Sequence, residues 1–82
     1  MRVSVGALVE VDGDPWKHVI AYPGPKSAAD VFPVLRGTVG VVLRVGDPGE
    51  GTYYGEAYVL LADTGRSAWI PAVHLRVLEL YA

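Results

Sequence analysis

The stretch Ala-Trp-Ile-Pro-Ala-Val-His-Leu at residues 68–75 carries the clearest structural signal in this 82-residue chain. Its first half is apolar and suits a strand, but Pro71 lacks the N–H that a strand ladder needs, so the strand must stop there. Residues 72–75 fit a single 3-10 turn, and residues 76–80 alternate again. The stretch therefore predicts a short strand at 67–70, a 3-10 turn and a last strand.

Strands are also the expected elements in the rest of the chain. Fourteen valines, whose branched side chains suit a pleated sheet, favour strands over helices. Alternation and β-branched content predict strands at residues 3–11, 16–22, 36–45 and 53–61. In the strand at 36–45, four apolar residues fall in phase on one face: Val39, Val41, Leu43 and Val45.

Turn-forming residues separate these strands. Clusters of Gly, Pro and Asp predict turns at residues 12–15, 46–51 and 63–66. Gly65 suits a left-handed position, whereas Gly37 and Gly40 indicate a bend or a close approach of two backbones. Because two prolines follow Tyr22 closely, residues 22–35 are predicted to form a long loop.

The predicted elements cover nearly the whole chain in a recognisable order. A strand is followed by a long loop, then by a hairpin that begins with Gly-Thr-Val-Gly at 37–40, then by a tight turn and by Trp-Ile-Pro at 69–71. This order resembles the SH3-like small β-barrels. The resemblance implies an all-β fold: a single domain over residues 1–82 that forms one antiparallel barrel of five or six strands, with a 3-10 turn before the last strand. The barrel is expected to be closed.

Three groups of SH3-like barrels are compared with the chain. The chain resembles accessory subunits of the photosystem I PsaE type and the ferredoxin–thioredoxin reductase variable-chain type, because its segments 5–11, 37–40 and 75–79 occur in a similar order. This resemblance implies an accessory role. Signalling SH3 domains have an Ala-Leu-Tyr-Asp-Tyr-like strand, where residues 7–11 read Ala-Leu-Val-Glu-Val. Plasmid-type dihydrofolate reductases share the frame of residues 65–75, but Ser-Ala-Trp-Ile replaces their Val-Gln-Ile-Tyr signature. Neither Pro-rich peptide binding nor reductase activity is therefore implied.

Charge and composition disfavour several classes of protein. The net charge of −2 gives no basic footprint for nucleic acid. The longest uncharged stretch, residues 67–75, is too short to cross a bilayer, and the amino-terminal residues lack the apolar region of a signal peptide. No cysteine is present to form a disulfide or a thiolate metal site. We expect a globular protein with no membrane partner, in a cytoplasmic or virion setting.

No residue pattern indicates catalysis. The two histidines, His18 and His74, are far apart in sequence and lack the carboxylate spacing of a metal site. No serine or threonine lies in a nucleophile elbow, and residues 46–51 lack the lysine of a phosphate-binding loop. No catalytic residue, cofactor or metal is predicted, small-molecule binding is disfavoured, and the chain is not expected to be an enzyme.

The leading functional hypothesis is a protein–protein interaction or structural module that acts as a subunit of a larger assembly or homo-oligomer. Aromatic residues and an apolar carboxyl-terminal run supply more apolar surface than a small barrel needs. The predicted contacts with a protein partner or a second copy are Trp16, Tyr22, Phe32, Tyr53, Tyr54, Trp69, Leu80 and Tyr81.

Three alternatives stay open at this point. The chain could be a structural protein of a phage or virion. It could be an oligomeric barrel that holds a small molecule at a symmetry axis, lined by Ser67, Trp69 and tyrosines. It could also be a KOW-like nucleic-acid-binding module, if its arginines share one face: Arg2, Arg36, Arg44, Arg66 and Arg76.

Overall fold

The computed structural model describes residues 3–13, 19–22, 31–46 and 55–79. The elements within these ranges are strands, apart from one 3-10 turn, which confirms the all-β prediction. In chain order they are β1 (Leu8–Val11), β2 (Val19–Ala21), β3 (Phe32–Val34), β4 (Val39–Val45), β5 (Glu56–Leu61), β6 (Ser67–Pro71), the 3-10 turn (Ala72–His74) and β7 (Leu75–Glu79). No helix in the described part of the chain is long and apolar enough to cross a membrane.

The strands form two antiparallel sheets. The larger sheet has five strands in the order β6-β5-β4-β1-β7, and the smaller one pairs β2 with β3. A single bridge between Tyr22 and Trp69 connects β2 to the β6 edge. Among the described residues no ladder pairs β3 with β7, so the predicted closed barrel is not formed. Since β3 is three residues long and its central Pro33 has no N–H to donate, this strand offers little to a further neighbour.

β3 lies within the segment predicted as a long loop. Its three residues pair with β2 in the register Val19 to Val34, Ile20 to Pro33 and Ala21 to Phe32. A proline is tolerated here because, among the described strands, β3 pairs with β2 alone, and a proline at a sheet edge interrupts one ladder rather than two. The sequence of residues 27–30 also fits one helical turn within this loop, but these residues lie outside the described part of the chain.

The closing segment folds as its sequence predicts. β6 ends at Pro71, the 3-10 turn follows at once, and β7 begins at Leu75. The N–H of Asp12 donates to the carbonyl of His74 over 2.8 Å, so the turn is held against the end of β1. β7 then pairs with β1, with Leu75 opposite Val11. Gly65 has the left-handed φ of 72° that the preceding turn requires.

The first strand is shorter than predicted. It begins at Leu8 rather than at residue 3, because Gly6 adopts φ of 87° and the N–H of Ala7 donates to the carbonyl of Ser4 over 3.1 Å. This turn exposes Val5, which the alternation had placed on the same face as Val9 and Val11.

The core is built from alternate residues of the strands. Side chains on successive residues point to opposite faces, so β1 and β2 bury every second residue, as β4 does at Gly40 and Val42. β6 instead buries Ala68, Trp69 and Ile70 in succession. The largest fully buried side chains are Val9, Val11, Val42, Val59, Leu61 and Ile70. Val19, Ala21 and Val34 of the smaller sheet join the same cluster, so the two sheets share one core.

Gly40 marks the close approach that the sequence predicted. This buried glycine of β4 pairs with Leu61 of β5 and with Val9 of β1. A Cβ at this position would lie 2.5 Å from the Cγ1 atom of Val59 and 2.6 Å from the carbonyl oxygen of Leu60. The side chain of Val59 thus occupies the space that a larger residue at position 40 would need.

We expect Gly40→Ala to lower the free energy of unfolding by about 1 to 3 kcal/mol, the usual cost of overpacking a core. In a strand without this contact, the same change would stabilise the folded chain by up to about 1 kcal/mol. The contact with Val59 therefore decides whether the substitution stabilises or destabilises the fold. Urea unfolding measures both. Val45→Ala, at an exposed position farther along β4, is the control and should change stability less. A Gly40→Ala variant as stable as the original chain would contradict this packing.

Candidate functional site

The structure describes three of the eight predicted contact residues. Tyr22, Phe32 and Trp69 lie in or beside β2, β3 and β6. The others lie outside the described residues: Trp16, Tyr53, Tyr54, Leu80 and Tyr81.

Tyr22 and Trp69 belong to a row of side chains on the outward face, which we call the aromatic row: Tyr22, Trp69, Tyr58 and Arg44. The backbones of Tyr22 and Trp69 exchange two hydrogen bonds, of 3.1 and 2.7 Å. Trp69 pairs across the ladder with Tyr58, and Tyr58 pairs with Arg44. Residues directly opposite each other carry their side chains on the same face, so the four side chains cross three strand junctions in line.

The contacts along the aromatic row bury Trp69. The ring centroids of Tyr58 and Trp69 are 5.2 Å apart at an interplanar angle of 46°. The guanidinium carbon of Arg44 lies 5.4 Å from the centroid of Trp69, close enough for a cation–π contact. Trp69 is only 4% exposed although it points away from the core. Trp69 is therefore buried within the isolated chain, and its backbone bridge to Tyr22 links the two sheets.

Phe32 also has a cationic neighbour. Its ring packs partly against the core, and the guanidinium carbon of Arg66 lies 3.8 Å from its centroid. Arg66 precedes β6, so this contact joins the smaller sheet to the larger one at a second place.

The outward face of the five-stranded sheet is apolar where β5, β4 and β1 meet. Val41 pairs with Leu60 on one side and with Leu8 on the other. The register then shifts, because Val42 pairs with Val59 and Arg44 with Tyr58. Leu43 is therefore the extra residue of a β-bulge, and both Leu43 and Arg44 are exposed beside Tyr58.

A second bulge lies on β7. Val77 pairs with Val9 and Glu79 pairs with Leu8, so Leu78 is the extra residue. Leu78 is exposed beside Leu8, as Leu43 is beside Tyr58. We call the resulting surface the outer apolar face: Leu8, Val41, Leu43, Leu60 and Leu78. Leu8 is half-buried, and the other four residues are between 37% and 43% exposed.

No residue of the outer apolar face is among the partner contacts that the sequence predicts. The available signal was the in-phase run of apolar residues in β4. The structure shows that Val41 and Leu43 of this run are exposed, while Gly40 and Val42 point into the core. The bulge at Leu43 also moves Val45 out of phase, opposite the buried Ala57.

Charged pairs border the outer apolar face. The Arg76 guanidinium donates to the Glu10 carboxylate on the neighbouring strand, and this hydrogen bond and charge raise the pKa of Arg76 above its ordinary value. Arg36 lies 3.6 Å from the Asp12 carboxylate. Each of the four arginines in the described residues thus contacts an acid or an aromatic ring. Arg2 lies outside the described residues.

We expect Trp69→Ala to reduce the free energy of unfolding by about 3 to 5 kcal/mol, the usual cost of removing a buried aromatic side chain. Val73→Ala is the control, because Val73 is exposed in the adjacent 3-10 turn and its truncation should change stability by less than about 0.5 kcal/mol. Denaturant unfolding measures both variants. Similar losses for the two would contradict a stabilising role for the buried Trp69 indole.

The chain was also compared with known proteins. No protein-family model matches it, and no curated protein or solved structure is significantly similar to it.

Proposed function

We propose that this chain is a non-enzymatic protein–protein interaction module that works as a subunit of a larger assembly or homo-oligomer. The observation that supports this proposal is the outer apolar face. Four of its residues expose more than a third of their surface on adjoining strands. On a sheet with one solvated face, the outward positions are usually polar. An apolar cluster at these positions is typical of a surface that another molecule covers.

The packing of the core indicates that the outer apolar face is more than the scattered apolar exposure found on most protein surfaces. Val42, Val59 and Leu61 already fill the inward positions beside Gly40, so the outward residues are not needed to complete the core. Removing a cluster of aliphatic side chains from water contributes about 25 cal/mol for each square ångström covered. The outer apolar face therefore supplies favourable energy for association rather than for folding.

We also propose that the fold is of the SH3-like kind, with the accessory role that the resemblance implies. The five-stranded antiparallel sheet and the 3-10 turn ahead of β7 support this assignment. Fold likeness alone is a weak guide to function, and the outer apolar face carries the functional argument. A structural protein of a phage or virion would be one concrete form of such a subunit.

Two other functions have less support. A small-molecule site lined by Ser67 and Trp69 would need the indole to face a ligand, whereas its surface is taken up by the aromatic row. A nucleic-acid surface would need uncompensated arginines, whereas Arg36 and Arg76 each contact a carboxylate. The buried indole therefore argues against the small-molecule site, and the paired arginines argue against the nucleic-acid surface.

The proposal predicts that a photo-crosslinking amino acid at Leu60 will form a covalent adduct with a protein in living cells. The same residue introduced at Asp63 is the matched control, because Asp63 is exposed in the turn that follows β5 but lies off the outer apolar face. Mass spectrometry of the purified adduct identifies the partner. Absence of an adduct at Leu60, or equal labelling at the two positions, would contradict the proposal.

A further inference from the structure

We propose that the peptide between Asp12 and Gly13, at the end of β1, is a modification site at which aspartate isomerises spontaneously to isoaspartate. This peptide is the only Asp-Gly pair in the sequence, and its chemistry is independent of the outer apolar face. In an Asp-Gly pair the glycine has no side chain to hinder attack by its own backbone nitrogen on the neighbouring carboxyl carbon.

The reaction is an internal condensation followed by hydrolysis. The backbone nitrogen of Gly13 bonds to Cγ of Asp12 and gives up its proton, the protonated carboxyl group gives up its hydroxyl, and one water molecule leaves a cyclic imide. Water then adds to one of the two imide carbonyls. Addition at Cγ restores aspartate. Addition at the main-chain carbonyl of Asp12 breaks the original peptide bond, so the chain runs through Cβ and Cγ and a free carboxylate remains on Cα.

The attacking nitrogen is not held by the sheet. β1 ends at Val11, and the N–H of Asp12 still donates to the carbonyl of His74 over 2.8 Å. The N–H of the next residue, Gly13, has no hydrogen-bond partner among the described residues. This nitrogen can therefore turn towards the carboxyl group without breaking a backbone hydrogen bond.

The carboxyl group that it attacks is accessible. The Asp12 side chain is 46% exposed, so water and protons reach it. Its Oδ1 atom lies 3.6 Å from Nε of Arg36, whose side chain is 54% exposed. An ion pair that is this exposed holds its members weakly. The carboxyl group is thus able to leave Arg36 and approach the nitrogen of Gly13.

The packing of the fold requires the glycine that makes this peptide reactive. A Cβ at position 13 would lie 2.7 Å from Cγ2 of Val19 in β2. Val19 is buried in the core that the two sheets share, so its side chain has no free space to move into. The close contact that joins the end of β1 to the smaller sheet therefore also keeps a reactive Asp-Gly pair in the chain.

Isomerisation should loosen this contact. The modified main chain contains one additional carbon, Cβ, which lengthens it by about 1.5 Å between Asp12 and Gly13. The hydrogen bond from Asp12 to His74 lies before the added carbon and remains. Gly13 lies after it and is displaced from Val19, while the new carboxylate on Cα no longer extends towards Arg36. β2 thereby loses packing against the end of β1.

The test incubates the full chain at neutral pH, folded in buffer and unfolded in urea, and maps its peptides by chromatography and mass spectrometry. The folded chain should yield a peptide containing position 12 with altered retention and unchanged mass, which accepts a methyl group from a protein isoaspartyl methyltransferase. In heavy-oxygen water the same peptide should gain one oxygen atom from the solvent. The sequence contains no asparagine, so deamidation contributes no isoaspartate.

Two controls accompany the test. Asp12→Glu keeps the carboxylate but must close a larger ring, so it should suppress the reaction. Asp63, which is exposed and precedes Thr64, is the internal control. Isoaspartate at position 12 in urea alone, or equal amounts at Asp12 and Asp63 of the folded chain, overturns the proposed site.

The effect on the fold is measured on the isomerised chain after it is separated from the original one. Its Tm should be lower by about 4 to 8 °C, a shift typical of a modest loss of packing in a domain of this size. The Asp12→Glu variant, incubated in the same way, should keep its Tm. An isomerised chain with the Tm of the original would overturn the inferred loss of contact between Gly13 and Val19.

Discussion

The close contact of β4 with β5 at Gly40 is the constraint on which the rest of the fold depends. β4 is the central strand of the larger sheet, and Gly40 pairs with both of its neighbours. Because position 40 has no side chain, the branched side chain of Val59 can fill the middle of the core. The inward position of Gly40 also fixes the faces of its neighbours: Val42 must point into the core, and Val41 must point outward.

For this reason the sequence pattern of β4 does not by itself show which face of the strand points into the core. The most apolar phase of the strand contains Val41 and Leu43, yet the core takes the phase of Gly40 and Val42. A shift of one residue would reverse the two faces, and the choice between them is made by the neighbouring strands rather than by β4. Val59 and Leu61 of β5 fill the core around Gly40, and β4 adds Val42 at the next inward position. Val41 and Leu43, which belong to the other phase of β4, are left on the outward face.

The parts of the fold that local chemistry determines were predictable, and the parts that distant pairing determines were not. Pro71 ends β6 and Gly65 adopts a left-handed turn wherever these strands lie, so the closing segment could be predicted. β3 was missed because Pro33 disfavours a strand except at an edge, and edges are known only from the sheet order. The bulges at Leu43 and Leu78 likewise depend on the register between strands. Trp69 was expected at a surface, but it is buried, with its ring beside Tyr58 and its backbone bridged to Tyr22, and these partners are known only from the strand pairing.

The β-bulges at Leu43 and Leu78 explain how the outward face becomes apolar while the packing around Gly40 stays the same. Each adds a leucine to the outward face without changing the inward residues, so exposed apolar area increases while the core is unchanged. The bulge at Leu78 also disturbs the regular ladder of β7, the edge of the larger sheet, and an irregular edge is a poor template for pairing with another strand. Association through the edge is thereby disfavoured, while the face beside it gains Leu78 and Glu79. In a chain of 82 residues, whose small core leaves a narrow margin of stability, covering this face by association would stabilise the folded state in proportion to the logarithm of concentration.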